Sequence, residues 1–314
     1  MDGFQHLRNP GSLLSSLVTP APWQHLYRKT VGRRHLACGP AQWSILSATT
    51  ESFDPITFNP QEMTRLTAPS GGTWADPFLW SVGDARYVFV EEWFAGASCA
   101  HLSAVRLDSD GLPIGLPNPI ISSATHYSYP FIFEHEGQLW MLPENSASGR
   151  LQLYRCLDFP YRWVPDRVLM EGTMYADPTL LEFNGVWWMF ITLKTGFYGL
   201  NSNLFLFHAA DPISDRWKPH PLNPIVSGFH HSRPAGRVFV SKGRLYRPAQ
   251  DCFKRYGNGL RINEITRLDH EHYQETCVRK IHPWKDDIVG VHHLEISGNL
   301  VMMDIHTLLD RAPA

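Results

Sequence analysis

The sequence predicts an all-β protein folded as a five-bladed β-propeller, and three observations predict it. The first is a phrase that recurs in variant form. It reads Trp74-Ala75-Asp76-Pro77-Phe78-Leu79, then Tyr127-Ser128-Tyr129-Pro130-Phe131-Ile132, then Tyr175-Ala176-Asp177-Pro178-Thr179-Leu180, with a looser copy at Ser232-Arg233-Pro234-Ala235-Gly236-Arg237. The second is the chain after each copy: an apolar stretch, a Gly-containing turn and a second stretch rich in rings. A fifth unit runs His292-His293-Leu294-Glu295-Ile296, turns at Ser297-Gly298-Asn299 and returns over Leu300 to His306. The third is composition: 12% aromatic residues with 24 Pro and 23 Gly in 314 residues suit short strands joined by many turns. Hairpins spaced by roughly fifty to sixty residues mark a repeat architecture, and for strands that means propeller blades.

Residues 1–40 form a lead-in containing Arg28-Lys29 and Arg33-Arg34, and the propeller occupies 41–314. A strand over 42–50, with Trp43, Ile45 and Leu46, is expected to close the last blade. Blades are expected near 74–108, 127–158, 174–210, 230–268 and 290–306, with outer strands at 151–155, 204–208 and 260–265. The segments Phe159-Pro160-Tyr161-Arg162-Trp163, Asp215-Arg216-Trp217-Lys218-Pro219 and His282-Pro283-Trp284 read as linkers whose rings pack between blades.

Charge and cysteine usage bound the function. A net charge of -2 leaves no concentrated basic face for nucleic acid, and no block of like charge suggests a membrane surface. The five cysteines are scattered and include no Cys-x-x-Cys pair, so neither a disulfide framework nor a zinc knuckle is indicated. The apolar pairs Leu13-Leu14 and Leu17-Val18 are too little for a leader core, and no apolar run could span a bilayer. Together these predict a cytoplasmic address.

If the first strand of each blade is innermost, the blade starts crowd around one mouth. Asp76, Tyr127 to Tyr129, Asp177, Arg233 and His292 or His293 would face it. Across the hairpins, the second strands would end there with Glu91 or Glu92, Glu144, Thr192 or Lys194, Asp251 and His306. Carboxylates, an Arg and several His rimmed by rings suit a sugar, and two carboxylates flanking a glycosidic bond are what its cleavage requires. An Asp-Pro step is also a common turn device, its side chain capping nearby N–H groups. The pairs His230-His231 and His292-His293 could hold a metal with Asp76 or Asp177, but structural histidines are the plainer reading. No metal or cofactor is assigned, with room left for a structural cation on the axis. No Gly-rich phosphate loop opens a helix.

The Asp-Pro blade starts resemble the five-bladed propellers of the arabinanase, xylosidase and invertase group, glycoside hydrolase families 43, 32 and 68. That resemblance implies Asp76 as base or nucleophile and Asp177 as the carboxylate that steadies the site. It also implies a general-acid Glu near position 237, where this chain has Ser232-Arg233-Pro234-Ala235-Gly236 instead. Glu144, Glu92 or Asp251 would have to substitute. A longer resemblance rests on His126-Tyr127-Ser128-Tyr129-Pro130-Phe131-Ile132-Phe133, Met141-Leu142-Pro143-Glu144, Arg233-Pro234-Ala235-Gly236, Leu245-Tyr246-Arg247, Gln250-Asp251-Cys252 and Tyr256-Gly257. Over about 74–273 the chain is similar to the propeller domain N-terminal to the transferase of plant glucosamine inositolphosphorylceramide transferases.

These readings leave an enzyme and a binder open. As an enzyme that cleaves or transfers a glycosyl group, the chain would use Asp76, Asp177 and Glu144 as catalytic carboxylates. Arg233, Tyr127, Tyr129, His126, Glu92, His231, Asp251 and His293 would bind substrate, with Arg233 gripping a phosphate or carboxylate. The partner would be a carbohydrate, sugar phosphate or glycolipid, with a sugar-modifying enzyme as a further partner. The alternatives are a glycan-binding module that has lost the acid, and a scaffold for sugar-modifying enzymes.

Overall fold

The computed structural model of the protein describes residues 41–309 apart from 67, 95, 197 and 198; the expected lead-in over 1–40 lies outside the described residues. Five antiparallel sheets form the blades of a propeller. Blade 1 runs Thr73–Val82, Ala85–Trp93, His101–Leu107 and Pro113–Ile121. Blade 2 runs Ser128–His135, Gln138–Glu144, Arg150–Asp158 and Arg162–Glu171, and blade 3 begins with Tyr175–Phe183, Val186–Leu193 and Asn203–Ala209. Blade 4 contains Phe239–Ser241, Arg244–Asp251, Gly259–Leu268 and Tyr273–Ile281.

Blade 5 is built from both ends of the described chain. Ala41–Thr49 pairs with Leu300–Leu308 along its whole length, and Thr64–Leu66 adds outside it. Each blade carries a fourth strand beyond the expected boundaries, so 151–155, 204–208 and 260–265 lie in third strands rather than at the outer edge. Trp163 accordingly sits in the fourth strand of blade 2, not in a linker. Its ring still packs between blades, 6.1 Å from Phe89 of blade 1, and Phe159 lies 5.2 Å from Tyr87.

The repeated phrase has one backbone conformation. Asp76, Tyr129 and Asp177 have φ of 48°, 50° and 51°, the left-handed region that costs a non-glycine residue energy. At each, the ladder skips: Ala75 faces Glu91 but Phe78 faces Phe89, Ser128 faces Glu144 but Phe131 faces Leu142, and Ala176 faces Thr192 but Thr179 faces Phe190. Two residues thus oppose one, a β-bulge. The sequence explains it locally. Proline has no N–H to give the ladder, and its ring bars the preceding residue from the right-handed helical region. The bulge turns that residue toward the axis and frees its N–H.

Below the mouth the axis is filled. Phe78 and Phe131 are buried side by side, and the Arg237 guanidinium lies 4.6 Å from the Phe131 ring centroid while pairing with Glu295 at 3.1 Å. Gly236, at φ 116°, lets the chain pass the Leu294 carbonyl, which a Cβ would approach to 2.0 Å.

Candidate active site

Two polar rings meet at the mouth. The blade starts supply Asp76, Tyr129, Asp177, Arg233 and the His292-His293 pair. The second strands supply Glu91, Glu144, Thr192, Gln250 and Asp304, each beside a blade start in its own hairpin. The freed N–H groups stitch neighbouring blades: Asp76 donates to Asp304 Oδ2 at 3.1 Å, Tyr129 to Asp76 Oδ2 at 3.2 Å and Asp177 to Glu144 Oε2 at 3.2 Å. A carboxylate is therefore needed at these places to hold the bulges, and the strain is offset by charge-assisted bonds.

Arg233 is the hub. Its Nε donates to Asp177 Oδ2 at 2.6 Å, its Nη2 to Asp177 Oδ1 at 3.1 Å and to Glu144 Oε2 at 3.0 Å, and its Nη1 to Asn201 Oδ1 at 3.0 Å. Gln250 Nε2 adds a bond to Asp177 Oδ2 at 3.0 Å, and the Tyr256 ring lies 5.0 Å from the guanidinium. The expected grip on a substrate anion is corrected here: the guanidinium is spent on the protein's own carboxylates. Glu144 is likewise committed, its Oε2 accepting from Arg233 Nη2.

The carboxyls are driven apart. Burial alone would raise Asp76, but the contact with His293 and the charges of His292, His293 and Arg233 outweigh it and hold Asp76 at about 2. Burial raises Asp177, with the Arg233 charge opposing and the Glu144 carboxylate reinforcing. One guanidinium serves two carboxylates there. Asp76 Oδ1 is buried and has no hydrogen-bond partner among the described residues; His293 Nδ1 is 3.4 Å from it and His292 Nδ1 3.9 Å. His292 itself is buried, which would lower it, yet Asp304 at 2.7 Å raises it to about 9. Trp43 stacks on that imidazolium at 3.9 Å.

Asp76, His292 and Asp304 bring one potential ligand atom each within 4.8 Å of one another. His292 Nδ1 faces Asp304 Oδ2 at 2.7 Å, and metal binding would need that ring in its neutral form.

Several expected binders lie elsewhere. Glu92 is fully buried, accepting from Trp74 Nε1 at 2.9 Å and Ser103 Oγ at 2.6 Å; strand alternation sends Glu91 to the mouth instead. Tyr127 bonds the Tyr154 hydroxyl at 2.7 Å within the core of blade 2. Tyr129 is buried beneath the mouth, its hydroxyl bonded to Thr179 at 2.6 Å and accepting from the Gly236 N–H. Asp251 faces Arg261 and His230, and His231 faces Glu275 in the fourth strand of blade 4. His306 stacks on Trp43, one turn of the pleat from Asp304. His126 stays at the rim, its Nε2 3.1 Å from Glu91 Oε1. Sequence reasoning missed Gln250, Asp304, Asn201 and Tyr256; the hairpin count alone could have found the first two.

Comparison with known proteins adds the relatives. A family profile described as "Glucosamine inositolphosphorylceramide transferase 1, N-terminal" matches residues 48–287. Glucosamine inositolphosphorylceramide transferase 1 of Arabidopsis thaliana is 34% identical over 210 residues, 65% of this chain and 27% of that protein. Its namesake from Oryza sativa subsp. japonica is 32% identical over 208 residues, 65% of this chain and 28% of that protein. The match thus spans about a quarter of the length of these relatives.

Among solved structures, the alpha-L-arabinofuranosidase from Lactobacillus brevis superposes with a TM-score of 0.53 at 14% identity, covering 71% of this chain and 79% of that one. The alpha-L-arabinofuranosidase from Podospora anserina solved with cellotriose gives 0.53 at 10%, covering 85% and 97%. The family 117 glycoside hydrolase of Zobellia galactanivorans gives 0.51 at 11%, covering 87% and 92%. At these identities the likeness is one of fold.

Proposed function

Because this chain belongs to the glucosamine inositolphosphorylceramide transferase N-terminal family, we propose that its funnel is a carbohydrate site at which a glycosyl group is cleaved or transferred. Asp76 is the base or nucleophile, and Asp177 is the carboxylate that orients the site. The observation that carries this reading is Asp76 Oδ1: a buried carboxylate oxygen, held ionised by its neighbours, whose nearest facing nitrogen is His293 Nδ1 at 3.4 Å. A charged acceptor so placed can take a bond from a substrate hydroxyl or an attacking water.

The charge balance speaks to the substrate. Asp76, Glu91, Glu144, Asp177 and Asp304 line the mouth against Arg233 and His292, and Arg233 is already engaged. That favours a neutral or amine-bearing sugar over a phosphate at the reacting centre. The names of the curated relatives, which join glucosamine to an inositolphosphorylceramide, fit the same class of head group.

One observation favours a second reading, a glycan-binding module without turnover: Arg233, in the segment where the resemblance to the hydrolases implies an acid, ties up both Asp177 and Glu144. Turnover of a panel of aryl glycosides, furanosides and glucosaminides included, together with sugar nucleotides, separates the two when products are read by mass spectrometry. Product supports catalysis. Silence across the panel, with a sugar that raises the melting temperature, supports the binder.

A further inference from the structure

The geometry points to Glu91, backed by His126, as the group that hands a proton to the leaving oxygen; this rests on the reading of the funnel as a site of glycosyl chemistry. The other carboxylates are disqualified by their contacts. Glu144 holds the Arg233 guanidinium at 3.0 Å, Asp251 turns outward to Arg261 at 2.9 Å, and Glu92 is sealed between Trp74 and Ser103. Glu91 faces Ala75 across the hairpin, one residue before Asp76, and therefore stands beside the bulge that aims Asp76 at the axis. Its side chain is 17% exposed, and its ion partner is the His126 ring.

His126 positions the acid. Its Nδ1 accepts the Ala100 N–H at 3.4 Å, which leaves Nε2 as the nitrogen that shares a proton with Glu91. The ring is 39% exposed while the Glu91 side chain is 17% exposed. The charged groups facing Glu91 are Asp76 from the same blade, His126 from the loop into blade 2 and His292 from blade 5. Burial and the Asp76 charge raise Glu91 against the two histidines, so it holds its proton to a higher pH than Asp76 does. Two carboxyls driven apart in this way are suited to opposite roles.

The step balances. The bond from the anomeric carbon to the leaving oxygen breaks, its electron pair stays on that oxygen, and the oxygen takes the Glu91 proton. The hydroxyl oxygen of water, or of an acceptor sugar, bonds the anomeric carbon and gives its proton to Asp76. Solvent then reprotonates Glu91, whose Oε1 stays held by His126 Nε2, and removes the proton from Asp76.

The test compares wild type with Glu91→Gln on aryl furanosides and aryl glucosaminides that differ only in leaving group, phenyl against dinitrophenyl. A dinitrophenolate leaves without protonation, so the variant should lose about 10²–10⁴-fold in kcat/KM on the phenyl substrate and stay within a few-fold on the other. Gln can still accept from His126, and an unchanged melting temperature verifies the fold. His126→Ala removes the side-chain contact that lowers Glu91, so the alkaline limb of the wild-type pH profile should move to higher pH. Equal losses on both leaving groups, or none, would overturn the role of Glu91 while leaving the funnel an active site. Wild-type silence on every substrate would instead bring down the underlying reading, and this inference with it.

Discussion

Arg233 Nε lies 2.6 Å from Asp177 Oδ2, and this contact ties blade 4 to blade 3 at the mouth of the propeller. The same guanidinium reaches Glu144 of blade 2, so one side chain spans three blades. The Arg is buried, and removing it would strand two carboxylates away from water. Arg233→Met should therefore cost about 3–5 kcal/mol in denaturant unfolding. A loss under about 1 kcal/mol would show that the carboxylates simply take up protons instead.

Gly236 is the tightest point on the axis. Its φ of 116° disfavours any other residue, and a Cβ would meet the Leu294 carbonyl oxygen at 2.0 Å and His293 Nε2 at 3.1 Å. Gly236→Ala should destabilise on the order of 3 kcal/mol by thermal unfolding, strain and overpacking acting together. Near-wild-type stability would mean that blade 4 does not close on blade 5 as described.

The His292 imidazolium gives stability an alkaline limb. Its folded value is about 9, above the ordinary 6.5, because Asp304, Asp76 and Glu91 outweigh burial. A raised value stabilises the fold fully below about 6.5, and that contribution is lost as pH rises through about 9. Asp76 has the opposite sign: its contribution is present above the ordinary carboxylate range and is lost as pH falls toward about 2. Melting temperatures from about pH 6 to 10 should fall for wild type and flatten for His292→Gln; parallel curves would deny the charge on His292.

Glu92 tests the separation of scaffold from site. It is fully buried with Trp74 and Ser103, so Glu92→Gln should cost about 1–3 kcal/mol while ligand affinity stays unchanged. A matching loss of affinity would return Glu92 to the funnel.

The legible parts of this protein were those that proline punctuates. Asp76, Tyr129 and Asp177 stood out because the X-Pro step repeats, and the same step forces the bulges that aim them. The second ring was harder. Strand side chains alternate, so a slip of one residue exchanges the faces, and Glu92 for Glu91 and Asp251 for Gln250 are both such slips. Asp304 and His306 lie on one face, two residues apart, and only the length of the strand decides which reaches Asp76. Burial was also invisible: Tyr127 and Tyr129 read as rim aromatics but are core, because a blade start serves the axis and the blade interior in turn. The commitment of Arg233 to Asp177 and Glu144 joins residues far apart in sequence, which no local pattern records.

The most direct measurement on the central claim is the split between turnover and binding in Asp76→Asn. The amide keeps the shape and can still accept the Tyr129 N–H that Asp76 Oδ2 holds at 3.2 Å, but it loses the charge. If Asp76 is the base or nucleophile, kcat should fall by about 10²–10⁴-fold while the affinity measured by calorimetry stays within a few-fold. Turnover that survives the substitution, or turnover and affinity lost in equal measure, would contradict the assignment of the funnel as the seat of catalysis.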